Sequence, residues 1–205
     1  SDIDLVALVS TELAPKLCHQ LAKQLEHKNL ACPAKGLDLL IAQNKEASKP
    51  PEEPRYELWF STGHSWRTEI DRAGNARELL IHFAICKKNG RAIFGPEAAF
   101  AFGPIPRAWL LAAMREGLLW HQTVVLDPFH DPGGQHGVLN ACRALAFAKT
   151  GELMTKSSGG EWFLQNEGQS AIVQEALAAR RGEVSTLTKD QVSTFLAEVI
   201  DTMSY

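Results

Sequence analysis

A chain of 205 residues with 45% hydrophobic and 22% charged residues can bury one large core or two small ones. A formal charge of −3 and a pI near 6.2 exclude a nucleic-acid surface built on bulk charge. No apolar run is long enough to span a bilayer and no signal peptide is visible, so no membrane partner is expected and the cytoplasm is the expected compartment.

The four cysteines, Cys18, Cys32, Cys86 and Cys142, form no CxxC. Three of them, Cys18, Cys86 and Cys142, fall in apolar helical patterns, as buried thiols of a reducing compartment do. The chain opens without Met inside a strand-like segment, so a missing N-terminal piece is expected.

Residues 3–9 read as a buried strand. Residues 11–28 read as a helix on the four-residue spacing of Leu13, Leu17, Leu21 and Leu25, with Ser10 or Thr11 as its cap. Residues 36–42 read as a second strand, which makes a βα unit with the first. The proline-rich, charged stretch 44–55 reads as a loop. Residues 56–60 read as a third strand, with an edge position open to it, and 61–77 as polar connection. Residues 77–89 read as a helix stopped by Gly90, and 92–94 as a candidate short strand. After Phe102-Gly103-Pro104-Ile105-Pro106 every pattern is helical: 107–122, 138–150, 156–166, 169–181 and 188–203, with a loop over 127–137. The expected organisation is therefore an α/β domain over 1–105 and a helical bundle over 106–205.

Asp2 and Asp4 flank Ile3, so on a strand they share a face. Two carboxylates held side by side repel, and the pair makes sense with a divalent cation between them; Mg²⁺ takes carboxylate oxygens together with substrate phosphates. Alternatively the pair is a solvated strand end. Asp38, on the strand after the first βα unit, can lie beside them in one sheet. Three acids at one sheet edge suit two-metal phosphoryl or nucleotidyl transfer, with one carboxylate free to accept the proton of an attacking hydroxyl. Alternatively Asp38 is a strand-end acid partnered by Lys35. The helical half supplies cations. Arg143 sits on an otherwise apolar helix, and Lys156 opens the next one; together they could clamp a polyphosphate across an interdomain cleft. Alternatively Arg143 pairs with a local acid such as Glu161.

These residues carry a resemblance that covers residues 1 to about 181. SDIDLVALV resembles the second half of the nucleotidyltransferase signature. LNACRALAFAKTGELMTKSSGGEWFL resembles the C-terminal helical domain of aminoglycoside nucleotidyltransferases of the streptomycin/spectinomycin adenylyltransferase type, and KKNGRAIFGP and PIPRAWLLAAM resemble that family's middle segment. The resemblance implies a nucleotidyltransferase-like mixed sheet with helices, followed by a helical bundle. It implies transfer of AMP from ATP, with Mg²⁺, to a hydroxyl of a small cationic acceptor such as an aminoglycoside, with pyrophosphate released, as in antibiotic resistance. It implies Asp2 and Asp4 as metal ligands, Asp38 as base and shared ligand, Ser1 at the nucleotide phosphates, and Arg143 and Lys156 on the ATP phosphates. On the acceptor side it implies the loop acids Asp127 and Asp131, with Trp66 or Trp59, Trp120 and His136 as candidate lining. Trp162 matches the tryptophan of the family's EW pair and reads as core.

Three departures stand out. The usual base is Glu, one methylene longer than Asp38. The Gly-Ser half of the signature, which holds the triphosphate, does not occur in this sequence and puts activity of the chain as it stands in question. The family's aromatic near the adenine falls at Arg180 or a neighbour, which puts nucleotide choice in question. A monomer is expected. Two alternatives stay open: a nucleotidyltransferase acting on another small-molecule or protein hydroxyl, and a truncated, non-catalytic nucleotide-binding module.

Overall fold

The structure is a computed structural model that describes residues 2–30, 33–63 and 68–203. The chain divides into two compact units, Ser1–Trp109 and Leu110–Tyr205.

The first unit is built on a four-stranded mixed sheet in the order β1-β2-β3-β4. Its strands are β1 (Ile3–Val9), β2 (Gly36–Gln43), β3 (Arg55–Gly63) and β4 (Glu69–Asn75). β1 and β2 are parallel and joined through helix α1 (Pro15–Leu25), while β2–β3 and β3–β4 are antiparallel. Strand alternation sorts the side chains into two layers. Leu5, Ala7, Leu39, Ile41, Leu58 and Phe60 face α1, packing on Cys18 and Ala22. Val6, Leu8, Leu40 and Trp59 face the opposite way, onto Leu79 and Phe83 of α3 (Leu79–Asn89). A full burial such as that of Leu58 or Phe60 contributes roughly 2–3 kcal/mol.

The alternation is broken in β3 opposite Ile41 and Ala42, which pair with Leu58 and Tyr56, so that Tyr56 and Leu58 face opposite layers. Glu57, left over at the shift, is buried but satisfied. Its oxygens accept from Leu13 N–H (3.1 Å) and Gln43 Nε2 (2.6 Å).

Several boundaries differ from the sequence expectation. α1 starts at Pro15, not residue 11, because proline is suited to the first turn and not to a helix interior; Ala14 is the N-cap, and neither Ser10 nor Thr11 caps it. Residues 44–48 form a short helix, α2 (Asn44–Ser48), inside the expected loop. β3 is an inner strand, not an edge, because β4 pairs along it within the expected polar connection. Residues 92–94 are not a strand; Ile93 and Phe94 lie exposed before the four-residue helix α4 (Ala98–Ala101).

α5 (Arg107–Thr123) leads into the second unit, which is helical throughout among the described residues: α6 (Gln135–Thr150), α7 (Lys156–Asn166), α8 (Ala171–Arg181) and α9 (Lys189–Thr202). α6 is its axis, with Val138, Leu139, Ala141, Cys142 and Phe147 buried. Gly160 lets α7 close onto it: a Cβ there would meet Leu139 Cδ2 at 2.8 Å and Leu177 Cδ2 at 2.9 Å. α9 carries a full capping box between Thr188 and Gln191.

Candidate active site

In the first unit, the parallel register places Asp4 directly beside Asp38, and the antiparallel one places Ser61 beside Asp38 and Glu69 beside Ser61. Directly paired residues share a sheet face, so Asp4, Asp38, Ser61 and Glu69 form a polar row across the sheet. Asp2 stands one pleat before Asp4 on the same side. Strands lie about 4.8 Å apart, close enough for neighbouring carboxylates to share one cation.

The row lies on the α3 layer, where the apolar packing of Val6, Leu40 and Trp59 gives out. Asp2 and Asp4 are exposed and Asp38 is half-buried. The Ser61 hydroxyl donates to Asp38 Oδ1. Burial, first, and then the charges of Asp4 and Asp2 push the Asp38 carboxyl above its ordinary range, while Ser61 and His82 pull it back. α3 thus brings two further groups to the acids. His82 stacks edge-to-face on Trp59 at 5.4 Å, and Cys86, one turn on, has its thiol pushed up by burial and by Asp4. Ser61 and His82 carry no role in the sequence expectation, and Cys86 figures there only as a buried thiol. The parity of Ser61 with Trp59, and a histidine on an otherwise apolar helix, are the signals that could have found them.

Among the described residues, no three His, Cys, Asp or Glu side chains close into a complete metal-binding set. Mg²⁺ in phosphoryl-transfer sites asks for less: one or two carboxylates, the remaining positions going to waters and substrate phosphates. The hard-oxygen pair Asp4–Asp38, with Asp2 beside it, fits that demand.

In the second unit the sequence-predicted cations do not stand alone. Lys156 Nζ lies 3.1 Å from His136 Nδ1, so the ammonium donates and the ring accepts. His136, expected on the acceptor side, is thereby placed with the cations. Arg143 follows His136 by seven residues on α6, on the same face. There Gly159 of α7 approaches so closely that a Cβ would fall 2.7–2.9 Å from Arg143 Cβ, Cα and N. A glycine inside a helix costs about 1 kcal/mol; here it permits α7 to lie against Arg143. Arg180, at the end of α8, donates from Nε to Ser157 Oγ at 3.2 Å.

Asn140, between His136 and Arg143, meets His121 of α5, with Nδ2 and Nε2 2.6 Å apart. His121 Nδ1 and Asn140 Oδ1 are buried and have no hydrogen-bond partner among the described residues. Burial, then Lys156 and its cationic neighbours, pushes both histidines down to about 4. The result is a group of positive charges spaced by neutral imidazoles.

The loop acids are engaged locally. Asp131 is 1% exposed; its two oxygens accept from His136 N–H (2.8 Å) and Gly137 N–H (2.7 Å), capping α6 where Gly134 turns with φ 71°. The acceptor role expected of Asp131 thus falls on a carboxylate whose two oxygens are both engaged by the start of α6. Asp127 Oδ1 accepts from Phe129 N–H and His130 N–H at 2.9 and 3.0 Å. Trp120 is 47% exposed, edge-on to His121 and His130 at 5.0 and 5.4 Å. Trp59 belongs to the core layer over α3, and Trp162 is half-buried on α7. Ser1 and Trp66 lie outside the described residues. An open cavity of about 620 Å³ between Phe163, Phe195, Glu167, Asp190 and Glu198 touches none of these groups. No helix among the described residues is long and apolar enough to cross a membrane.

A sequence model of the aminoglycoside adenylyltransferase C-terminal domain matches residues 101–204. Five solved chains are similar in fold. One is spectinomycin adenyltransferase AAD(9) from Enterococcus faecialis, crystallised with ATP and spectinomycin. It aligns with a TM-score of 0.78 at 16% identity, over 100% of this chain and 85% of that one. No curated protein matches the sequence.

Proposed function

The chain belongs to the aminoglycoside adenylyltransferase family, and from that premise we propose that it transfers AMP from ATP, with Mg²⁺, to a hydroxyl of an aminoglycoside, releasing pyrophosphate. The observation that carries the reading is the in-register pairing of Asp4 with Asp38, which accumulates negative charge where folding alone gains nothing from it.

Asp2, Asp4 and Asp38 would hold Mg²⁺. When bound, the ion supplies charge neutralisation for the triphosphate and a template for in-line displacement. The acceptor oxygen forms a bond to the α-phosphorus, the bond from that phosphorus to the bridging pyrophosphate oxygen breaks, and the electron pair leaves with pyrophosphate. Asp38 accepts the hydroxyl proton. Ser61 donates to its Oδ1 and so fixes the carboxylate's orientation, leaving Oδ2 outside that bond. Burial makes Asp38 a better base than a solvated aspartate, which offsets a reach one methylene shorter than Glu.

Arg143 and Lys156 bind the phosphates. Lys156 at the first position of α7 is unfavourable against the helix dipole by about 0.3–1 kcal/mol; an anion there reverses the sign, because the first-turn N–H groups and the ammonium then attract the same charge. On the acceptor side, Trp120 offers an exposed ring and Asp127 a carboxylate at the loop. Asp131 acts through the shape it gives that loop.

The test is transfer of label from α-³²P ATP to a panel of aminoglycosides, with pyrophosphate release measured in parallel. A labelled aminoglycoside that requires Mg²⁺ supports the proposal. Label appearing only on another small molecule or a protein hydroxyl replaces the acceptor class. Nucleotide binding without transfer to any acceptor makes the chain a binding module.

A further inference from the structure

We infer that Arg180 is a third cation on the nucleotide's phosphate chain, acting with Arg143 and Lys156 around His136. This rests on the phosphate role proposed above for Arg143 and Lys156 and adds a residue to it. Three helices bring the groups together. α6 presents His136 and Arg143 two turns apart, α7 presents Lys156 in contact with His136, and α8 ends with Arg180 bonded to Ser157, the residue after Lys156. The neighbouring Arg181 pairs with Glu183 at 3.2 Å. Among the described residues, Arg180 has no such carboxylate and uses one nitrogen on a neutral hydroxyl. Its guanidinium therefore keeps donors available in a fork suited to phosphate oxygens.

The charge of Arg180 reaches the same imidazole that Lys156 touches: both hold His136 in its neutral form, after burial. With Nδ1 accepting from Lys156, the remaining N–H of a neutral His136 is on Nε2. The group then offers a polyanion the charges of Arg143, Lys156 and Arg180 and one neutral donor, while the carboxylate nearby, Asp131, is buried and turned to the backbone N–H groups of His136 and Gly137. The ordinary alternative for an arginine at this position is a base-stacking residue.

Calorimetry on the full chain separates the two, with inorganic tripolyphosphate, ATP and adenosine as probes, each titrated into the parent and into Arg180→Gln, Arg180→Lys, Arg143→Gln and Lys156→Gln. Expected is a tenfold or greater weakening of tripolyphosphate and ATP binding in Arg180→Gln, most of it recovered in Arg180→Lys, with adenosine binding unchanged. Tripolyphosphate affinity in Arg180→Gln equal to the parent overturns the inference; if Arg143→Gln and Lys156→Gln still lose it, the two-cation phosphate site stands without Arg180. Loss of adenosine binding in Arg180→Gln assigns the residue to the base and also overturns it. A parent chain that does not bind tripolyphosphate overturns both.

Discussion

The two units handle charge in opposite ways. In the first, the ladder hydrogen bonds of β1, β2 and β3 fix like charges side by side, and Asp38 is half-buried and pushed toward its neutral form. In the second, cations on α6, α7 and α8 are interleaved with histidines that burial keeps uncharged. A sheet can impose repulsion because its register is set by backbone bonds. A helix pair has no such ladder and has to dilute repulsion with neutral polar groups. The acidic cluster is therefore expected to be sensitive to charge, and the basic cluster to packing and protonation.

The largest test of that contrast is Asp4→Asn, which keeps shape and removes charge. Turnover is expected to fall by roughly a hundredfold or more, while the thermal midpoint holds or rises because a repulsion with Asp38 is gone. A normal turnover, or a marked loss of stability, breaks the picture of the first unit.

Acid comes next. His121 and His136 sit at about 4 in the folded chain against an ordinary 6.5. Between those values the unfolded chain binds more protons, so stability falls as pH drops from about 6.5 to about 4 and is level above that range. A melting midpoint lower by roughly 5 °C or more at pH 4.5 than at pH 7.5 is expected, with a shallower fall after replacing both by Gln. A melting curve that does not move between those pH values means the imidazoles are not buried neutral.

Packing follows. Gly159→Ala inserts a methyl against the Arg143 backbone and should cost about 1–3 kcal/mol, raising the KM for ATP more than that for the acceptor. Full stability by urea denaturation would mean that α6 and α7 do not lie this close.

The smallest effect separates the loop acids. Asp131→Asn is expected to lower stability by about 1 kcal/mol through its cap with little change in aminoglycoside affinity. Asp127→Asn is expected to raise the acceptor KM a few-fold, less so in high salt. Reversed readouts in calorimetry and urea titration would exchange their roles.

Much of this was legible in the sequence because period and parity are properties of single elements. The alternation around Asp4 and Asp38 located two strands and put both acids on one face. The strand–helix–strand spacing set them in parallel, and a lone arginine on an apolar helix marked Arg143. What escaped depends on partners elsewhere in the chain. β4, EIDRAGN, has no apolar face of its own and is a strand only because β3 offers it a ladder. Its absence from the sequence reading made β3 look like an edge. Asp131 carries no local sign that its oxygens cap α6 rather than a ligand. Gly159 reads as a poor helix residue until Arg143 is found beneath it. The link between His136 and Lys156 spans a turn and a whole helix, which no periodicity encodes.

β2 serves two layers at once. Its odd residues, Leu37, Leu39 and Ile41, pack toward α1, while Asp38 and Leu40 face the other side, one in the polar row and one in the α3 core. Exchanging any one of these side chains alters one layer and leaves the other intact. Losing or gaining a single residue ahead of Asp38 inverts every later position, sending that carboxylate into the α1 core and a leucine into the polar row. Substitution and change of length are thus unequal events for this strand. Over time its letters can drift widely, but its count cannot change without a compensating bulge such as the one β3 carries at Glu57.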